Sequence, residues 1–250
     1  MKSKMKWSVQ LLLVLLCALG LKYHYSIATP DELRWILAPT TLLVEFLSGR
    51  SFAFESYTGY MSSDHTFVIA APCAGVNFLI TAFLMLGLKR LWRDRFQGKN
   101  WRYIPLAAAG AYLATLITNT VRISIALKMQ SMESSWLTAN QLHRLEGIVV
   151  YFGFLLLLFV ISERLESAKP SKWFFAFPLL VYYATTLGIP LLNGSYRQGA
   201  PFFEHSVFVL VLPLMVVVPL ALVWSLIVSR NRRRRHREGR RFFRRTVSVG

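Results

Sequence analysis

Three residues carry side chains suited to acyl-transfer chemistry: Cys73, Arg122 and His143. Cys73 sits among small neighbours in Ala71-Pro72-Cys73-Ala74-Gly75-Val76-Asn77, which leave its sulfur accessible. Pro72 and Gly75 weaken a local helix, so a substrate backbone can approach the thiol. The nucleophile is a thiolate, and burial in an apolar setting disables it unless a cation compensates. Arg122 offers that cation, since a charge inside an apolar segment normally faces a partner or a wet cavity. Asn119, one turn earlier, shares its face, and Thr115 and Thr118 add hydroxyls nearby. The guanidinium donors equally suit the oxyanion of a tetrahedral intermediate, and the residues leave both roles open. His143, in Leu142-His143-Arg144-Leu145-Glu146-Gly147, titrates near neutral pH and can exchange protons with a thiol and a leaving amine. No carboxylate is clearly placed to orient it; Glu146 reads equally well as an interfacial charge.

Each residue has an ordinary alternative. Cys17, inside the first apolar run, reads as a small buried hydrophobe, and Cys73 alone would too. Arg122 alone could snorkel to headgroups, and a lone interfacial histidine is often only solvated. What raises the set above these readings is a shared depth on successive apolar segments. Cys73 lies about seven residues, roughly 10 Å, inside its expected span, and Arg122 about five residues, roughly 8 Å, inside the next.

The elements that must position them are membrane spans. With 54% hydrophobic and 16% charged residues over 250 positions, the chain is too apolar for an ordinary soluble domain. The fold class expected is all-α, a polytopic transmembrane bundle with six clear spans at roughly 8–27, 66–88, 103–127, 145–161, 173–192 and 205–229. The count becomes eight if residues 28–65 form a short helical pair that includes Phe52 to Tyr60; otherwise that stretch is re-entrant or interfacial. Residues 1–229 then form one membrane domain, with a catalytic core near 55–160, and 230–250 a basic cytoplasmic tail. The N-terminal run, without a convincing small-residue cleavage site, reads as a retained first helix.

Loop charge sets orientation. Lys2, Lys4 and Lys6 precede the first span; Lys89, Arg90, Arg93, Arg95, Lys99 and Arg102 separate the second from the third; Arg164, Lys169 and Lys172 separate the fourth from the fifth. These belong inside, so both termini are expected in the cytoplasm and the chemistry-bearing ends outside. Of the 29 basic residues behind the net charge of +17, 10 fall between Arg230 and Arg245. That run suits anionic lipid, and no recognition fold accompanies it to suggest nucleic acid. The scattered histidines, His24, His65, His143, His205 and His236, show no metal-ligand spacing, and no cofactor motif is present.

Cys73-Ala74-Gly75, Asn119-Thr120-Val121-Arg122, and His143 followed by Gly147 together resemble the exosortase and archaeosortase family of membrane cysteine transpeptidases. Pro72 to Phe78 is similar to the subgroup called exosortase K. The likeness covers roughly residues 55–160 and includes the order Cys, Arg, His on successive helices. It implies a thioester on Cys73, with Arg122 and His143 at the other two catalytic positions and Asn119 and Asn77 in support. It also implies substrates that are exported proteins ending in a short motif, a transmembrane helix and a basic cluster, cleaved at the outer face of a bacterial inner membrane and passed to a cell-surface acceptor. Family members commonly have about eight helices. The competing reading is a transporter or lipid-handling protein in which Arg122 and Asn119 bind an anionic substrate.

Overall fold

The computed structural model describes residues 2–93, 101–129, 139–166 and 174–247. It is mostly helical: α1 (Lys2–Ile27), α2 (Arg34–Ser48), α3 (Val76–Arg93), α4 (Tyr103–Met129), α5 (Ala139–Leu165), α6 (Ala176–Tyr183), α7 (Ile189–Leu192) and α8 (Ala200–Val247). Among the described residues, five helical segments are long and apolar enough to cross a membrane: Met5–Ile27, Ala71–Arg93, Tyr103–Met129, Arg144–Leu165 and Phe202–Val223. The span expected at 173–192 is instead a shorter apolar stretch, Ala176–Leu192, interrupted by a π turn at Ala184–Gly188. α8 continues unbroken past residue 229 to Val247, so the basic tail prolongs the last apolar helix.

Two expectations for the region before α3 change. Phe52 to Tyr60 is not helical: β1 (Phe52–Glu55), β2 (Gly59–Ser62) and β3 (Val68–Ile69) form an antiparallel sheet in that order, with Phe52 opposite Ser62 and Tyr60 opposite Ile69. The fold is therefore not purely α. The physical cause is local. Phe52, Phe54 and Tyr60 are strand formers flanking a turn that Asp31 organises by accepting hydrogen bonds from the Tyr57 backbone N–H (2.8 Å) and the Ser56 hydroxyl (3.0 Å). α2 has 15 residues, short of the roughly 20 that span a bilayer. A reciprocal pair leads into it, the Thr29 N–H donating to the Glu32 carboxylate at 2.8 Å and the Glu32 N–H to the Thr29 hydroxyl at 3.4 Å. Its apolar face, Ile36, Leu37 and Val44, packs toward α4. There Tyr112 stacks on Trp35 and donates to the Trp35 carbonyl at 2.7 Å.

α3 is the central helix. In its spanning window 67% of residues are buried, against 17% in those of α1 and α8, so α3 is packed nearly all round while α1 and α8 turn most of their apolar surface outward. α1, α4, α5 and α6 all contact α3. α1 approaches closely at Gly87, where an added Cβ would lie 3.2 Å from a Val14 methyl. The end of the bundle away from the sheet is held by charge. Lys89, 8% exposed, donates to Ser162 (2.8 Å) and pairs with Glu163 (3.0 Å) and Glu166 (3.3 Å), and Arg90 and Arg93 also pair with Glu166. Part of the basic cluster that sets orientation is thus neutralised by α5.

Removing one member of a buried ion cluster leaves the others uncompensated, at a cost of about 3 kcal/mol. Lys89→Met is expected to lower the thermal midpoint of the detergent-solubilised protein clearly, whereas Lys89→Arg retains most of it. At the sheet end, hydrogen bonds from Ser62 and Thr66, with Arg50 nearby, hold the Asp64 carboxyl at about 2, below its ordinary 3.8. Because the folded value is the lower one, this contribution is complete above the unfolded value and disappears as pH falls through about 2. Protection of the 52–69 amides, taken as exchange relative to an unstructured chain at the same pH, should therefore fall between pH 4 and pH 2, and Asp64→Asn should show the lower protection already at pH 5.

Candidate active site

Cys73 lies at the entrance to α3 rather than inside it. After β3, Ala70 is extended, and Pro72 starts a 3-10 turn, Ala71–Ala74, in which the Cys73 N–H donates to the Ala70 carbonyl at 2.8 Å. Gly75 then takes a left-handed conformation, φ 69°, which redirects the chain into α3. The expected depth of seven residues shrinks to two from the start of the Ala71–Arg93 span. The cause is that 66–70 is used by the sheet.

Gly75 has a second reason to be glycine. Its backbone lies directly on α4, where an added Cβ would stand 3.0 Å from the Asn119 carboxamide carbon and 3.2 Å from a Thr115 methyl. That approach lets the Asn119 amide donate to the Cys73 carbonyl. The Asn119 carbonyl oxygen accepts from the Tyr151 hydroxyl at 3.1 Å, and the Tyr151 oxygen accepts from the Arg122 guanidinium at 3.2 Å. A directed chain therefore runs from Arg122 through Tyr151 and Asn119 to the backbone of the cysteine turn. It joins α4, α5 and the 3-10 turn, and Asn119 is fully buried.

Packing fixes this chain in place. The Tyr151 ring stacks on Phe78 of α3, with centroids 5.3 Å apart, and Arg122 also sits over the ring, the guanidinium carbon 5.2 Å from the centroid. Gly147 of α5 makes room for the guanidinium: an added Cβ would be 3.4 Å from Arg122 Nε. Arg122 and Cys73 are near enough to act on one another electrostatically, and Glu146 acts on both. Glu146 is buried, so it belongs to this charged cluster and is not a solvated interfacial residue.

The expected residues divide in three ways. Cys73, Asn119 and Arg122 come together. Residue 143 lies in the first turns of α5, one turn before Gly147, while the His143 side chain falls outside the described residues. Asn77 leaves the set: its carboxamide accepts from Lys22 of α1 at 2.8 Å and lines a separate cavity that includes neither Cys73 nor Arg122. Tyr151 is the member that sequence reasoning missed. Its signal was a lone hydroxyl one turn after Gly147, within the apolar run Ile148 to Leu158. Among the described residues no group of three or more metal-ligating side chains is assembled.

Gly75→Ala should be costly for two reasons, a left-handed backbone worth about 1–2 kcal/mol to an L-residue and a clash with Asn119. The expected result is a lower thermal midpoint together with faster thiol labelling of Cys73, as the turn separates from α4. No known family, characterised protein or solved structure matches this chain.

Proposed function

We propose that this protein is a membrane-embedded cysteine peptidase and transpeptidase of the exosortase kind. The observation that carries the reading is the hydrogen-bonded chain tying the cation Arg122 to the backbone of the cysteine turn. Its support is chemical. A thiol at the edge of an apolar bundle needs a nearby fixed positive charge to ionise, and an arginine held by a tyrosine that is itself held by an asparagine is such a charge, already oriented before substrate arrives. The resemblance of the three short motifs to the exosortase and archaeosortase family supplies the substrate class.

In this mechanism the Cys73 thiolate attacks the scissile carbonyl carbon of an exported protein, and Arg122 stabilises the developing oxyanion. The tetrahedral adduct collapses to a thioester as the C–N bond breaks, and His143 delivers a proton to the departing amine. The leaving fragment is the C-terminal helix with its basic cluster. Deprotonated by His143, water or an acceptor nucleophile then attacks the thioester and regenerates the thiol. With Ala176–Leu192 counted as a sixth crossing, the loop charges favour both termini in the cytoplasm and the sheet end of the bundle outside, which for the bacterial inner membrane implied by the resemblance is the periplasm. The substrate signal, with its own basic cluster inside, would align alongside the bundle in the same orientation.

Co-expression with an exported reporter carrying such a C-terminal signal tests this directly. Cys73→Ala should abolish cleavage, Arg122→Lys should slow it by roughly 100-fold as oriented donors are lost, and Cys17→Ser should leave it unchanged. Normal processing by the Cys73→Ala protein would refute the proposal.

A further inference from the structure

Beside the cysteine turn, but not part of its network, is a cavity of about 300 Å³ enclosed by α1, α3, the π turn with α7, and the start of α8. Lys22, Asn77, Thr81, Thr185, Asn193 and His205 contribute its polar lining. Among the described residues the lining contains a cation, carboxamides and hydroxyls and no carboxylate. Lys22 donates to Asn77 at 2.8 Å, which commits one of the three N–H bonds of an ammonium group. Thr81 donates across to Thr185 at 2.9 Å, joining α3 to the π turn. Arg144 of α5 lies within electrostatic reach of His205, adding a second permanent positive charge near the same wall. A π turn sacrifices regular helix geometry and is retained mostly where it serves a site, and here it presents both Thr185 and Thr186 to the cavity.

Depth narrows the ligand. Lys22 stands five residues before the end of α1, His205 five residues after the start of α8, and Asn77 in the first turn of α3. At 1.5 Å per residue each is within about 8 Å of its helix end, the level of lipid headgroups. We infer that this cavity is a binding site for a phosphate-bearing headgroup, with Lys22 as the charged contact and Asn193 as a hydrogen-bond donor, while the Thr81–Thr185 pair, its hydroxyl protons given to Thr185 and to the Val181 and Tyr182 carbonyls, holds the cavity wall together. The volume is at the lower end of small-molecule sites, sufficient for a phosphodiester and its polar substituent but not for acyl chains, which would remain outside in the bilayer. This binding does not depend on the thiol chemistry.

The test is lipid retention by the full-length protein in detergent, read by native mass spectrometry with phosphatidylglycerol and diacylglycerol as matched probes. Phosphatidylglycerol should be retained and diacylglycerol should not. Lys22→Met should reduce phosphatidylglycerol retention roughly tenfold, Lys22→Arg should largely preserve it, and Thr185→Val should weaken it with the fold intact by circular dichroism. The arginine-rich tail is the same in every variant, so the difference between them reports the cavity alone. Displacement of the lipid by inorganic phosphate would assign the site to the free phosphate group; resistance to it would assign the site to the lipid. Equal retention of the two probes, or equal retention of phosphatidylglycerol by the wild-type and Lys22→Met proteins, would overturn the inference.

Discussion

The hydrogen bond from Asn119 to the Cys73 carbonyl is the interaction on which the rest of this arrangement depends. Non-helical backbone at the edge of an apolar bundle must satisfy its polar groups from within the protein, because lipid offers no partners. The 3-10 turn does so by leaning on α4, and it can lean there only because Gly75 has no side chain. Once that contact exists, Asn119 has one end of its carboxamide committed, and the other end recruits Tyr151 and through it Arg122. The cost of placing a guanidinium in the bundle is thereby shared among an aromatic face, a hydroxyl and the buried Glu146.

Charge is distributed in the two ends of the bundle for different purposes. Away from the sheet, Lys89, Arg90 and Arg93 of α3 meet Glu163 of α5 and Glu166 just past its end in a set of mutually compensating pairs. That cluster clamps α3 to α5 in register. Toward the sheet, Arg122 donates to the Tyr151 oxygen with the buried Glu146 also acting on it, and Lys22 donates to the Asn77 carboxamide oxygen. A cation with a neutral partner retains most of its field, so an incoming anion gains more from Lys22 than from a cation already neutralised by a carboxylate. The bundle therefore has a charge-compensated end away from the sheet and, toward the sheet, an end where Arg122 of α4 and Lys22 of α1 stand.

The sheet explains where Cys73 stands at this second end. Its strands lie just before the cysteine turn and pack near α2 instead of being threaded through the bundle. They bring Cys73 to the boundary of the apolar region, two residues from the start of the Ala71–Arg93 span. A cysteine buried two helical turns deep would be shielded by α1, α4 and α5.

Much of this was determined by the sequence alone. Apolar runs of spanning length, the loop charges, and the grouping of Cys73, Asn119 and Arg122 could all be read directly, because hydropathy and the cost of an intramembrane charge act residue by residue. Other features were decided only by tertiary structure. Whether residues 52–69 pair as strands depends on Asp31, which lies over 20 residues from Tyr57 in the chain, and the resulting sheet moved Cys73 from a helix interior to its entrance. Asn77 and Tyr151 exchanged roles for a similar reason: each is one polar group on an apolar helix, and only the packing of α1 against one face of α3 and α5 against another directs Asn77 to Lys22 and Tyr151 to Arg122. Helical periodicity assigns a residue to a face, but the neighbour that face meets is set by the three-dimensional packing of the bundle.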